Sequence, residues 1–387
     1  MYEPFPGNYV WNLSVNICVG MGGAIGEIDK ANERIRELAK QGEDAGTEAF
    51  FASWIEMADG VVCLADEAAA TGHFLSASEK YCRATAYYVT AERMQSRHYA
   101  PRKDAYGIML QIMERAIVCG SLNCERVEIP YEGRSFPALF VRGQGAGPRP
   151  CMVFCNGLDS VKEMIYLTIR DEFAKRGVSC LMVDQPGVGE ALRLGGFQAV
   201  VESERWAGAA LDYLQTRKDV DHRRFGRMGW SLSGYYAPRA AAFEKRFKLC
   251  VAWGANHNWG ELQRRRLARE GDRPVPHYWD HVMWVWGKDS LESFMAFVPK
   301  LSLVDVVENI RVPFLITHGA NDRQIPLADA HQSYNEAVNG SPTDLPRCEQ
   351  TLPAATLADA EAPMIDILAR LQIIERRSRS PSRARRS

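Results

Sequence analysis

Residues 225–246 read FGRMGWSLSGYYAPRAAAFEKR, and this stretch narrows the folds open to the chain more than any other. An apolar run ends at Gly229-Trp230-Ser231-Leu232-Ser233-Gly234, and an alanine-rich, helix-forming segment follows at once. A strand that turns into a helix this abruptly brings two backbones close together, so the residues around its apex must be small, and the apex residue itself takes a strained conformation. The pattern departs by one place from strict G-x-S-x-G: Ser233 stands where the second glycine is usual, and Gly234 follows it. A small residue still fits there.

The wider pattern agrees with such a turn. Up to about residue 123 the chain carries apolar residues at three- and four-residue spacing, as in TEAFFASWIEMADGVVCLADEAAATG and SASEKYCRATAYYVTAERMQ, with Gly or Ser at the breaks. That is helical periodicity. From Cys124 it gives way to short apolar or alternating runs: ERVEIPYEG, SFPALFVRG, PCMVFCNG, VSCLMVDQPG, FGRMGWS, LCVAWGA and VPFLITHGA. Helical stretches separate the later runs, which is what a mostly parallel, helix-flanked α/β sheet requires. The first two runs are expected to form a hairpin across YEGRS. The reading divides the chain into a helical region over 1–123, an α/β domain over 124–375 and a basic, disordered tail over 376–387. Residues 258–300, rich in Trp, Tyr and Phe, interrupt the alternation as a lid-like insertion.

In this setting the turn is a nucleophile elbow, with the Ser231 hydroxyl above the sheet and the following helix presenting free N–H groups beside it. Upstream, VFCNGLDS ends a strand, so the N–H of Leu158 pairs with that of Leu232 as the expected oxyanion hole. Downstream, FLITHGANDRQIP places Asp322 just past a strand tip, as the acid of a Ser–Asp–His triad or, alternatively, as a turn former. The order Ser, Asp, His then demands a later histidine. The chain has eight, and only His331 lies beyond Asp322, within a segment that reads as the next helix. His257 and His281, from the edge and body of the insertion, remain as alternative bases.

Composition excludes several classes. The formal net charge is -1, and no apolar run approaches the ~20 residues of a membrane span, so neither nucleic acid nor membrane is an expected partner. The N-terminus lacks the basic start and cleavage site of a signal peptide, and the ten scattered cysteines include no C-x-x-C pair; a cytoplasmic protein without a zinc site is expected. VNICVGMGGAIGEIDKA mimics a dinucleotide fingerprint, but no second strand ending in an acidic residue follows. No cofactor is expected.

Taken together, SASEKYCRATAYY, CNGLDSVKEM, VDQPGVGE, GWSLSGYYAPRAAAFEKR, PHYWDHVMWVWG and THGANDRQIPLADAHQSYNEAVN resemble the α/β-hydrolases related to 2,6-dihydroxypseudooxynicotine hydrolase, to FrsA-like esterases and to fungal yellowish-green heptaketide hydrolases of pigment pathways. The resemblance implies an α/β-hydrolase fold with a helical N-terminal cap, a homodimer, and serine-dependent cleavage of a C–C (retro-Claisen type) or ester bond beside a carbonyl in an aromatic or polyketide-like secondary metabolite. It matches Ser231 to the nucleophile and Asp322 to the acid. Where relatives carry a GAEH-like turn, this chain reads PAATLADAEAP, with Thr356 opposite the histidine. Three readings stay open: an impaired hydrolase, a hydrolase with a replacement base, or a non-catalytic binding protein. Acyl transfer from the same serine is a further alternative.

Overall fold

A computed structural model describes residues 2–40, 47–269 and 276–339. The segment carrying Thr356 and the basic tail lie outside the described residues.

The chain opens with six helices: α1 (Tyr9–Gly20), α2 (Ile25–Glu33), α3 (Arg36–Lys40), α4 (Glu48–Ala70), α5 (Phe74–Arg93) and α6 (Ala100–Gly120). In α4 the buried residues Phe50, Trp54, Val61 and Ala65 recur at four- and seven-residue spacing, one apolar stripe of a 3.6-residue period. The Thr47 hydroxyl accepts from Phe50 N and starts that helix. Helix α1 is the element that periodicity missed. It starts where the Asn8 side chain accepts from Trp11 N, and the glycine-rich stretch after it is a turn between two helices, with no strand before it.

The rest alternates: β1 (Glu125–Tyr131), β2 (Arg134–Val141), β3 (Arg149–Cys155), α7 (Lys162–Ile169), α8 (Glu172–Lys175), β4 (Ser179–Val183), α9 (Gly189–Arg193), α10 (Ser203–Gln215), β5 (Val220–Trp230), α11 (Ser233–Phe243), β6 (Phe247–Trp253), α12 (Trp259–Ala268), α13 (Tyr278–Val285), α14 (Leu291–Phe297), β7 (Phe314–Thr317) and α15 (Leu327–Glu336). Among the described residues seven strands form one sheet in the order β1-β2-β4-β3-β5-β6-β7. β1 and β2 pair antiparallel, turning at Tyr131↔Arg134, where Glu132 and Gly133 take φ of 49° and 74°, the signs a type I′ hairpin needs. β3 pairs parallel with β4 and β5, and β6 parallel with β5 and β7.

The two-residue period of β3 shows what lies on either side of the sheet. Met152 and Phe154 pack with α7, α8 and the N-terminal helices in one core. Cys151, Val153 and Cys155 pack with α10, α11 and the insertion in the other. These cysteines are fully buried packing residues. The insertion has its own aromatic centre, in which the rings of Trp259 and Trp286 are 6.0 Å apart, Trp259 and Phe294 6.0 Å, and Trp286 and Phe297 5.4 Å. Most of its aromatics therefore form the core of the insertion itself. Trp279 and Trp284 alone among its tryptophans stay half-buried. No helix among the described residues is long and apolar enough to cross a membrane.

Candidate active site

The C-terminal end of β5 delivers Ser231 at the apex of the strand-to-helix turn, with φ of 54° in the left-handed region that non-glycine residues occupy only at a cost. Two bonds hold it there: Ser231 N donates to Trp253 O at 2.9 Å, and Gly234 N donates to Ser231 O at 2.7 Å. The residue is exposed. Gly234 shows why its neighbours are small, since a Cβ there would lie 2.1 Å from Gly254 O. After Ser231 the next tied N–H of the turn is that of Gly234, so the N–H of Leu232 stands at the open start of α11, where a helix dipole favours negative charge.

Opposite the apex, the end of β3 comes up against the serine. A Cβ on Gly157 would sit 3.0 Å from Ser231 Cβ and 3.4 Å from Ser231 Oγ, so glycine is what permits this approach. The loop beyond is braced on all sides. Asn156 N donates to Gln185 Oε1 (3.1 Å) and Gln185 Nε2 returns to Asn156 O (2.8 Å); Asn156 Nδ2 donates to Val183 O and Asp184 Oδ1. Ser160 Oγ accepts from Gly157 N at 2.7 Å and from Trp230 Nε1 at 3.1 Å. Such bracing fixes the Leu158 peptide before any charge develops on a ligand, the condition for electrostatic preorganisation.

Ser233 explains the departure from the glycine pattern. Its hydroxyl donates to Asn156 O, tying the elbow to the loop across the strand ends, a bond no glycine makes. Ser233→Ala is therefore expected to lower stability by about 1 kcal/mol and to slow any Ser231-dependent reaction several-fold. Urea unfolding together with steady-state kinetics checks both.

Asp322 lies in the turn after β7, half-buried. Its Oδ1 accepts from Gln324 N (2.7 Å) and Ile325 N (3.0 Å), leaving Oδ2 for another partner. Gly254 is where this turn meets the elbow: a Cβ there would lie 3.7 Å from Ile325 Cδ1 and 3.5 Å from Ser231 N. Tyr9 of α1 joins from the cap, with the Arg323 guanidinium 5.1 Å from its ring. Burial and the Asp322 charge push its phenol up.

Among the described residues no imidazole hydrogen-bonds to Ser231 Oγ. His331 is exposed on α15. His257 is fully buried and holds α15 in place, with Nδ1 3.0 Å from Ser333 Oγ, Nε2 3.0 Å from Glu336 Oε2 and N donating to Asp329 Oδ2. His281, on α13, reaches Leu158 O with Nε2 at 3.1 Å. Its pKa is held down at about 4, by burial first and then by Arg102 and Arg193, so near pH 7 it is a neutral imidazole donating through Nε2 and latching the lid to the loop beside Ser231. The sequence offered no sign of this bond, or of the Asn156–Gln185 and Ser160 bracing, although CNGLDS and VDQPG carry all three residues. Among the described residues no group of three or more His, Cys, Asp and Glu is placed to hold a metal.

A mostly parallel sheet, a serine elbow after β5 and an acidic turn after β7 define an α/β-hydrolase. The chain belongs to the FrsA-like esterase family, whose profile matches residues 52–259; residues 207–343 match that of the prolyl oligopeptidase family. It is 27% identical over 290 residues to the 2,6-dihydropseudooxynicotine hydrolase of Paenarthrobacter nicotinovorans, covering 72% of each chain. Identity to a 20-hydroxy-prefusarin hydrolase of Gibberella moniliformis is 27% over 340 residues, 78% of each. A crystal structure of 2,6-dihydroxy-pseudo-oxynicotine hydrolase superposes with a TM-score of 0.69 at 24% identity, over 83% of this chain and 84% of that one, a likeness of fold.

Proposed function

We propose that the chain is a serine-dependent hydrolase that cleaves a carbon–carbon or ester bond next to a carbonyl in a flat aromatic or polyketide-like small molecule. The observation that carries this is the apposition of Ser231, at φ 54°, with Gly157, whose Cβ would stand 3.4 Å from the serine Oγ: a strained nucleophile facing a braced loop. The relatives named for hydrolysis of an oxynicotine and a prefusarin support the substrate class.

In this reading Ser231 Oγ attacks the carbonyl carbon while the N–H groups of Leu232 and Leu158 hold the oxyanion. Collapse breaks the bond to the leaving carbon or oxygen, which departs as enolate or alkoxide and takes up a proton. Water then attacks the acyl-enzyme, releasing the acid and restoring the hydroxyl. Asp322 is the triad acid. With Thr356 in the histidine's place and His257 and His281 engaged elsewhere, proton removal from Ser231 is the weak step, and acylation is slow.

Trp279 and Trp284 are the lid aromatics left for a flat substrate. A panel of p-nitrophenyl esters, with mass spectrometry of the peptide carrying Ser231, tests the reading. Benzoyl and naphthoyl esters are expected to acylate Ser231 at least several-fold faster than acetyl, because ring stacking adds about 0.5–1.5 kcal/mol per pair. Turnover confined to short aliphatic esters would overturn the aromatic assignment. Acyl groups found on any residue but Ser231 would overturn the nucleophile.

A further inference from the structure

Behind the loop that faces Ser231, three helices bring buried arginines together. Arg102 of α6 and Arg193 of α9 are 4% exposed in whole or in side chain, and both donate Nε to Glu92 Oε1, at 2.6 and 2.7 Å. Arg193 Nη2 reaches Glu92 Oε2 and Asp159 O, and Arg102 Nη1 donates to Gln95 O. Part of each donor set remains unpaired. Arg102 Nη2 and Arg193 Nη1 are buried with no acceptor among the described residues, and so is the Tyr106 hydroxyl, whose ring lies 5.2 Å from the Arg193 guanidinium. Leaving a charged donor buried without an acceptor costs several kcal/mol, which argues for an occupant that supplies acceptors.

The surroundings say what kind. Arg93 is also buried and pairs with Asp159, so the group holds three guanidinium ions against the carboxylates of Glu92 and Asp159. The next carboxylates, Glu163, Asp184 and Glu190, share Lys162, with Arg126 also on Glu190; after burial, they push the Tyr106 phenol up, so its hydroxyl stays a donor. Toward α13 the two guanidinium ions outweigh Asp159: after burial, Arg102 and Arg193 hold down the pKa of His281. The Trp284 ring lies 5.6 Å from the Arg102 guanidinium, offering a flat wall. Position ties the group to the reaction site, since Arg193 touches Asp159 O, two residues along from Gly157, and two residues span at most about 7 Å.

We propose that Arg102 and Arg193, with the Tyr106 hydroxyl, form an anion subsite that binds an acidic group of the substrate, a carboxylate or an ionised enol or phenol, while its carbonyl lies at Ser231. The assignment rests on reading the Ser231 cleft as the reaction site. It makes acidity a specificity element, since a neutral analogue leaves both guanidinium ends desolvated and unpaired.

The test uses binding, so that it does not depend on an active nucleophile. Full-length Ser231→Ala protein is titrated with 2-naphthoate and with neutral 2-naphthamide, followed by calorimetry and tryptophan fluorescence. The expected result is at least tenfold tighter binding of the naphthoate, falling to near parity in Arg102→Gln, with circular dichroism confirming that this variant is folded. Should Arg102→Gln not fold, competition by inorganic phosphate on the parent protein decides: the subsite predicts that phosphate weakens naphthoate binding and leaves naphthamide binding unchanged. Equal affinity for naphthoate and naphthamide, an advantage that survives Arg102→Gln, or phosphate leaving naphthoate binding unchanged would each overturn the proposal. Failure of the hydrolase reading shows separately, as absence of acylation at Ser231 in the parent chain.

Discussion

Thr356→His is expected to raise the rate of fluorophosphonate labelling at Ser231 by about a hundredfold or more, and Ser231→Ala to abolish labelling in both backgrounds. Triad members work as a unit, so removing the base alone costs nearly as much as removing base and nucleophile together. If Thr356 stands where the triad histidine would, as proposed above, the parent chain has lost most of the rate that the nucleophile could supply, and what persists comes from oxyanion stabilisation and binding. Ser231→Ala in the parent chain should therefore cost far less turnover than Ser231→Ala in the Thr356→His background. The two substitutions are non-additive in a direction that kinetics reads directly. A parent protein that labels as fast as an ordinary esterase, with no gain from Thr356→His, would mean that another group takes the serine proton. His281 would then be the first to test, because its Nε2 reaches Leu158 O on the loop that faces Ser231.

The features that local rules dictate were legible in the sequence. The β1–β2 hairpin follows from alternation around YEG, and the sheet from short apolar runs between helices. The elbow follows from a serine flanked by small residues where a strand pattern becomes a helix pattern. Helix α1 escaped because VNICVG is apolar on nearly every side; it becomes a helix by packing against α5 and by the Asn8 cap, and neither appears as a period. The roles of the histidines were illegible for a different reason. His257 and His281 differ from a catalytic base only in what surrounds them: Ser333 and Glu336 for one, Leu158 O and two arginines for the other. Those partners lie 76, 79 and 123 residues away for the side-chain and carbonyl contacts and as far as 179 for Arg102, beyond the reach of any spacing argument. By pattern alone Ser233 is a tolerated small residue; its bond to Asn156 joins the ends of two strands, and only the folded chain shows it.

The same long-range logic makes Glu92→Gln the most damaging substitution for stability. Glu92 is 2% exposed and joins α5 of the cap to Arg102 of α6 and to Arg193 of α9. Burial pushes its pKa up, but Arg102 and Arg193 outweigh burial and hold it at about 2. Its folded pKa thus lies below the ordinary carboxylate value of 4.5, so the stability it contributes is present above that value and is lost as pH falls toward 2. Breaking a buried ion pair by removing one partner typically costs about 3–5 kcal/mol, because the other charge stays buried and unpaired; here two guanidinium ions are left at once. Urea unfolding at pH 7 is expected to show a loss of that size for Glu92→Gln, and the gap from the parent protein should narrow as pH falls from 4.5 toward 2. Because the broken joint lies between the helical cap and the α/β region, cap amides should exchange with solvent well before those of β3 and β5. A uniform loss of protection across both regions would show that the two unfold as one unit and that the Glu92 cluster is not the seam between them.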